Sequence, residues 1–105
     1  MSGKIMKIGL IFEFDAAHKL PHLNNKCKNL HGHTYKVEVQ LKGELINGMV
    51  IDFHDFKRDI QFMIDRLDHS YLNDIVLIPT AENICEYIYN GIPYKDKITK
   101  LREWE

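Results

Sequence analysis

The sequence predicts an α+β domain in which two helices pack on one face of a four-stranded antiparallel sheet. Two long segments alternate apolar and polar residues, and two later segments repeat apolar residues at helical spacing. We expect one domain over residues 1–105, with the element order β-β-β-α-α-β.

The first three predicted strands come from alternation and one turn signal. Every second residue from Leu10 to His18 is apolar or histidine, which is typical of a strand with one buried face. The segment "HGHTYKVEVQLKG" alternates more strictly and predicts the second strand. Asn47-Gly48 favours a tight hairpin turn, after which "MVIDF" is expected to return as the third strand.

Capping residues delimit the two predicted helices. Asp52 can cap a helix that begins near Phe53 and ends around Leu67, where turn-forming residues follow. Thr80 can cap a second helix that ends at Gly91. The final segment, "KITKLREWE", is expected to form the fourth strand.

Composition excludes several classes of function. The net charge is −1, from 14 basic and 15 acidic residues with no basic stripe, so nucleic acid is a poor candidate partner. No apolar run approaches the roughly 18 residues of a membrane span. The first residues lack the apolar core of a signal peptide, so we expect a cytoplasmic protein with reduced cysteines.

A cluster of histidines is the main anomaly. His31 and His33 are two residues apart on a predicted strand, so both side chains leave the same face. If the first two strands pair as a hairpin, His18 joins them. Three imidazoles that leave a fourth position open are typical of catalytic zinc, although an isolated His-x-His is more often a surface pattern. His22 is a weaker ligand candidate in the following loop.

Cys27 separates two hypotheses about this cluster. As a fourth ligand it would complete a closed, structural Cys-His₃ site in a non-catalytic module. Away from the metal it could act as a base or nucleophile, with a thiolate favoured by the nearby cation. A zinc hydrolase is a third possibility, but it leaves Cys27 without a role. Cys85 lies within the second predicted helix, where packing is the simpler interpretation.

Asp68 and His69 form a second polar group, directly after the first predicted helix. A carboxylate beside a histidine can set the tautomer of the ring and raise its basicity. The dipeptide is common, so it indicates a relay only if His69 meets Cys27 in space.

The segments "FDAAHKL", "CKNLHGHTY", "VIDF", "LDHSYLND" and "PTAENI", in this order, resemble the 6-pyruvoyl- and 6-carboxy-tetrahydropterin synthase family. The resemblance runs from about Phe12 to Glu105. It implies the tunnelling fold (T-fold), in which the sheets of three subunits join into a barrel and two trimers form a homohexamer with sites at subunit interfaces.

The resemblance also assigns roles to residues. It implies zinc on His18, His31 and His33 and a catalytic Cys27 off the metal. Asp68 and His69 match the relay of the family. Its pterin-anchoring glutamate fits Glu105 best, with Glu103 as the alternative; family members usually continue past this residue, whereas this chain stops on it.

The implied substrate is 7,8-dihydroneopterin triphosphate. Cys27 and the short loop before it resemble the microbial 6-carboxy enzyme of queuosine-type synthesis, which releases acetaldehyde and triphosphate. The 6-pyruvoyl enzyme is the alternative. The sequence does not decide which basic residues hold the triphosphate; the candidates are Lys19, Lys26, Lys28 and Arg66.

Overall fold

The computed structural model describes residues 3–105. The strands are β1 (Ile5–His18), β2 (His31–Glu44), β3 (Ser70–Tyr71) and β4 (Ile98–Trp104), and the helices are α1 (Phe53–Leu67) and α2 (Ala81–Gly91). Short 3₁₀ turns lie at Lys26–Lys28, Leu72–Asp74 and Lys95–Lys97. None of the helices formed by these described residues has the length and apolar character that spanning a membrane requires.

The sheet is built around a long hairpin of β1 and β2. These strands are antiparallel and in register from Ile5 opposite Glu44 to His18 opposite His31. The strand order is β3-β1-β2-β4, in which β4 is antiparallel to β2 and the short β3 is parallel to β1. The predicted hairpin of the first two strands is therefore confirmed.

The hydrophobic core lies between one face of this sheet and both helices. Phe14 of β1 and Val37 of β2 meet Phe56 of α1 and Ile84 of α2 in one buried cluster. Alternate strand residues point to opposite faces, so the other face of the sheet is mostly polar, although Ile5 and Ile11 are exposed on it. The predicted class, with two helices on one face of a four-stranded sheet, is confirmed, but the sheet is not wholly antiparallel because β3 runs parallel to β1.

Both predicted helix caps are present. The Asp52 carboxylate accepts hydrogen bonds from the N–H groups of His54 and Asp55, at 2.8 and 3.2 Å. The Thr80 hydroxyl accepts one from the N–H of Asn83, at 3.2 Å. Each cap satisfies N–H groups that would otherwise have no partner in the first helical turn.

The prediction of "MVIDF" as the third strand is wrong. Asn47 and Gly48 form the expected turn, with φ of 54° and 78°, but the hairpin that it closes is a single bridge between Ile46 and Met49. No ladder can extend because Asp52 already caps α1 three residues after Met49. The fourth position in the sheet is taken by β3, so the order is β-β-α-β-α-β.

The molecule is elongated. Its extents are 56 × 22 × 18 Å and its radius of gyration is 15.8 Å. A compact domain of this length would have a radius of gyration of about 13 Å. Within the described chain, no strand pairs with the outer edge of β1 before Ala16, and β4 has a strand neighbour on one side only.

Candidate active site

The β1–β2 hairpin brings the three predicted ligand histidines together. His18 lies directly opposite His31 in the register, and Ala16 lies opposite His33. All three rings therefore share the core-side face at the end of the hairpin, where their centroids lie 4.6 to 5.3 Å apart. His18 is buried, whereas the other two rings are partly accessible. The predicted meeting of His18 with the pair is confirmed.

Backbone carbonyls orient two of these rings. Nδ1 of His18 lies 2.8 Å from the Pro79 carbonyl oxygen, and Nδ1 of His31 lies 2.7 Å from that of Asn29. A carbonyl can only accept, so each Nδ1 carries a proton, which in a neutral ring leaves Nε2 as the acceptor. Each Nε2 then presents a lone pair, and the two Nε2 atoms lie 3.0 Å apart. Two lone pairs this close repel one another unless a cation lies beside them.

This donor set fits a metal ion of the zinc type. The ligand atoms of the three histidines lie within 4.8 Å of one another, and a carbonyl bond to the second ring nitrogen is the usual support for a metal-binding histidine. Burial, more than the neighbouring rings, lowers the pKa of His18, so this ring is neutral and able to bind a metal near neutral pH. Zinc itself stays a prediction.

Cys27 lies beside this cluster. The Asn25 side chain caps its 3₁₀ turn by accepting from the Cys27 N–H at 2.8 Å. Cys27 lines a cleft of about 210 Å³ together with the three histidines and Glu105. Among residues 3–105, the metal-type cluster at this cleft contains the histidines without Cys27. This arrangement favours a cysteine that faces the cleft without binding the metal.

The other cysteine lies apart from this cleft. Cys85 is half-buried within α2, as predicted, and is a free thiol. Burial, helped by nearby Glu103 and Glu82, raises the pKa of its thiol to about 11. A thiol with such a pKa is almost entirely protonated at neutral pH, so it is a poor nucleophile.

The two candidate glutamates differ in their surroundings. Oε1 of Glu105 lies 3.4 Å from Nε2 of His33, and the residue lines the Cys27 cleft. Glu103 points to the core-side face, and neither of its buried carboxylate oxygens has a hydrogen-bond partner among the described residues. Burial raises the pKa of Glu103 to about 7. Of the two, Glu105 is the one positioned to meet a molecule in the cleft.

Asp68 and His69 lie at a different cleft. The Asp68 carboxylate is 3.0 Å from Nδ1 of His69, so the predicted pair does form. His69 lines a cleft of about 570 Å³ with Asp15, His33 and Thr34. Within one chain, Cys27 and His69 therefore belong to separate clefts, and their relay stays a prediction.

The basic residues considered for the triphosphate, and the weaker ligand candidate His22, lie in different parts of the structure. Lys26 lines the Cys27 cleft, whereas Arg66 lies in a groove between α1 and α2. Lys19 is held through its backbone by the Asn73 side chain, which accepts from its N–H and donates to its carbonyl. His22 is exposed in the loop and does not join the metal-type cluster.

Two residues near Asp68 are not among the sequence candidates. Asp15 and Thr34 face one another across β1 and β2, and the Thr34 hydroxyl donates to the Asp15 carboxylate at 2.6 Å. The sequence did offer a signal for this pair. Asp15 lies three residues before His18 and Thr34 directly follows His33, so both polar residues are expected on the strand face away from the core. Such a pair becomes visible only once the register is known.

Comparison with known proteins identifies the family of the chain. The 6-pyruvoyl tetrahydropterin synthase family matches residues 7–104. The 6-carboxy-5,6,7,8-tetrahydropterin synthase of Haemophilus influenzae is 33% identical, over 96% of this chain and 93% of its own length. The dihydroneopterin monophosphate aldolase of Pyrococcus furiosus is 38% identical, over 95% and 91%.

A solved structure supports the fold. The 6-pyruvoyl tetrahydropterin synthase of Caenorhabditis elegans superposes with a TM-score of 0.83 at 23% identity, and the match covers 100% of this chain and 98% of that one. This confirms the predicted tunnelling fold. With a family match over nearly the whole chain, the protein belongs to the 6-pyruvoyl tetrahydropterin synthase family.

Proposed function

We propose that the protein is a zinc-dependent 6-carboxy-tetrahydropterin synthase. It would convert 7,8-dihydroneopterin triphosphate and one water molecule to 6-carboxy-5,6,7,8-tetrahydropterin, with release of acetaldehyde and triphosphate, in a cytoplasmic pathway of the queuosine type. The similarity to the H. influenzae enzyme supports the 6-carboxy product. Two unpaired cysteines are in keeping with a reducing compartment.

One observation carries the proposal. A single cleft is lined by three imidazoles, a thiol and a carboxylate, contributed by His18, His31, His33, Cys27 and Glu105. A pterin with a hydroxylated side chain offers a complementary set of groups, namely hydroxyls for the metal, a C–H proton for a base, and ring N–H groups for a carboxylate.

Each side chain has a role in this proposal. His18, His31 and His33 would hold Zn²⁺, which as a Lewis acid stabilises negative charge on substrate oxygens when it is bound. The Cys27 thiolate removes a proton from a side-chain carbon that carries a hydroxyl group. Glu105 accepts hydrogen bonds from the pterin ring and so fixes the reacting carbon near Cys27.

Asp68 and His69 serve the opposite proton transfer. Because His69 and Cys27 line separate clefts in one chain, we propose that His69 reaches the Cys27 cleft of a neighbouring subunit. The open edges of β1 and β4 and the elongated shape support a trimer with a shared barrel, two of which form a homohexamer.

The test is product analysis with the zinc-loaded protein. Incubation with dihydroneopterin triphosphate should give the mass of the 6-carboxy product and trapped acetaldehyde. A 6-pyruvoyl product would support the alternative synthase. No pterin product from a zinc-loaded hexamer would contradict both, and would favour a non-catalytic zinc module or a hydrolase.

The P. furiosus relative supports a second candidate function. That protein is named a dihydroneopterin monophosphate aldolase, and the match covers most of both chains. Aldol cleavage also needs a base for a side-chain hydroxyl proton, and the same cleft offers Cys27. The monophosphate substrate distinguishes the candidates, since a synthase must expel triphosphate whereas an aldolase cleaves a carbon–carbon bond and keeps the phosphate on the aldehyde fragment.

A further inference from the structure

We infer that Asp15, held in place by Thr34, is a positioning residue for the Asp68–His69 pair. The inference rests on the proposed function, in which His69 transfers a proton. Strand β1 then has two roles. His18 points to the core-side face, and Asp15, on the opposite face of the same strand, positions His69.

The backbone of Asp15 forms hydrogen bonds with both Asp68 and His69. Its N–H donates to Oδ1 of Asp68 at 3.0 Å, and its carbonyl oxygen accepts from the N–H of His69 at 2.6 Å. The next residues, Ala16 and Ala17, continue the contact as the parallel ladder with β3. The Asp68–His69 turn is thus attached to β1 at Asp15, one residue before the ladder with β3 begins at Ala16.

The backbone conformation of His69 explains why these hydrogen bonds are needed. His69 has a φ of 55°, in the left-handed region that residues with a Cβ rarely adopt. Such backbone is retained only where surrounding bonds hold it, and it is concentrated at functional sites. The short bond from the His69 N–H to the Asp15 carbonyl is the contact that holds it here.

The Asp15 side chain adds a second carboxylate beside the imidazole. Ligand atoms of Asp15, Asp68 and His69 lie within 4.8 Å of one another. The Thr34 hydroxyl, at 2.6 Å from Oδ1 of Asp15, locks this carboxylate on the outer face of the sheet. The hydrogen bond from the Asp15 N–H, with that from His69, lowers the pKa of Asp68 and so favours its ionised form beside the ring.

Exposure makes positioning necessary. The His69 side chain is 78% exposed, and that of Asp68 is 38% exposed. An imidazole so open to water would otherwise sample several rotamers, and a poorly placed proton donor slows a reaction strongly. The Asp68 contact at 3.0 Å and the Asp15 carboxylate within 4.8 Å reduce the number of orientations open to the ring.

The experiment compares variants that keep the backbone hydrogen bonds of residue 15 but change the hydrogen bond between the side chains of Thr34 and Asp15. We expect Asp15→Ala and Thr34→Val to lower kcat about tenfold with KM changed less than about twofold, since the ring stays present but loses its orientation. Thr34→Ser restores the hydroxyl and should return kcat to the wild-type value. Glu13→Gln is the matched control, because Glu13 lies on the same strand face and pairs with Lys36 at 3.7 Å.

A second readout does not depend on turnover. Ring ¹⁵N NMR of His69, assigned with His69→Gln, should show one tautomer with the proton on Nδ1 in the wild-type protein and in Thr34→Ser. Asp15→Ala and Thr34→Val should show a mixture. If the wild-type protein is inactive on pterin phosphates yet these spectra differ as expected, the proposed function fails and the positioning role stands.

Two results would overturn the inference. In the first, Asp15→Ala and Thr34→Val leave both kcat and the His69 signals as in Glu13→Gln. In the second, they lose zinc or melt at a lower temperature in proportion to their loss of kcat, which would mean that the pair only stabilises the hairpin.

Discussion

The Nε2 atoms of His18 and His31 face one another at 3.0 Å while both Nδ1 atoms are bonded to backbone carbonyls. The carbonyls of Pro79 and Asn29 therefore determine which ring nitrogens are free. The residue pairing of β1 with β2 determines how far apart those nitrogens lie. Because the ring nitrogens are oriented before any metal binds, the metal content of the protein should depend on these histidines.

Replacement of His31 by alanine should remove the metal. The wild-type protein is expected to bind about one zinc per chain, and His31→Ala, which leaves two of three ligands, should retain less than about a tenth of that content. Elemental analysis after dialysis against a weak chelator measures this. His22→Ala is the matched control, because His22 is exposed and outside the cluster. Full zinc retention by His31→Ala would disprove the ligand assignment.

Replacement of Cys27 by alanine should separate metal binding from turnover. We expect Cys27→Ala to keep its zinc and to lose at least about a hundredfold in kcat, because the proton-accepting group is gone. Cys85→Ala provides the control, since that thiol lies away from the cleft and has a raised pKa of about 11. Loss of zinc together with Cys27 would instead support a closed Cys-His₃ site.

Strand periodicity was sufficient to predict the histidine cluster. The position of a residue in a strand fixes the face of its side chain, so His18, His31 and His33 could be placed on one face from the sequence alone. Their proximity then required only that β1 and β2 pair as a hairpin, which they do. The Asp52 and Thr80 caps were predictable for a similar reason, because capping depends on residues within one helical turn.

Features that depend on register or tertiary fit were not predictable. The two-residue strand β3 is too short to show any alternation, and its pairing with β1 follows from where α1 ends. The sequence of "MVIDF" suits a strand, but the adjacent Asp52 cap leaves it room for only one bridge. The contact of Asp15 with Thr34 needed the exact offset of β1 and β2.

Subunit mixing should reveal whether the relay crosses an interface. Cys27→Ala and His69→Gln are each expected to be nearly inactive alone. Because Cys27 and His69 line separate clefts of one chain, co-refolded mixtures should contain some sites with both wild-type groups and recover part of the activity. Steady-state assays of the mixture against each parent measure this. A mixture no more active than its parents would argue against a site shared between subunits.

The buried carboxyl of Glu103 should make stability depend on pH. Its pKa is about 7 in the folded protein, raised by burial from an ordinary value of 4.5. The folded state therefore binds more protons than the unfolded state between these values, so the free energy of unfolding falls as pH rises through this window and stays low above it. The full effect is at most about 3 kcal/mol.

Replacement of Glu103 by glutamine removes the charge and should remove this dependence. Urea midpoints measured at intervals from pH 5 to pH 8 should decline for the wild-type protein relative to Glu103→Gln, which we expect to be the more stable at pH 8. The lowered pKa of His18 makes stability rise toward pH 6.5 in both proteins, so the difference between the two profiles, and not either slope alone, reports Glu103. Glu38→Gln is the matched control, because Glu38 lies on the outer face of the sheet in ion pairs with Arg102 and Lys100. If Glu103→Gln keeps the wild-type slope, the buried carboxyl is not its source and another titrating group must be responsible.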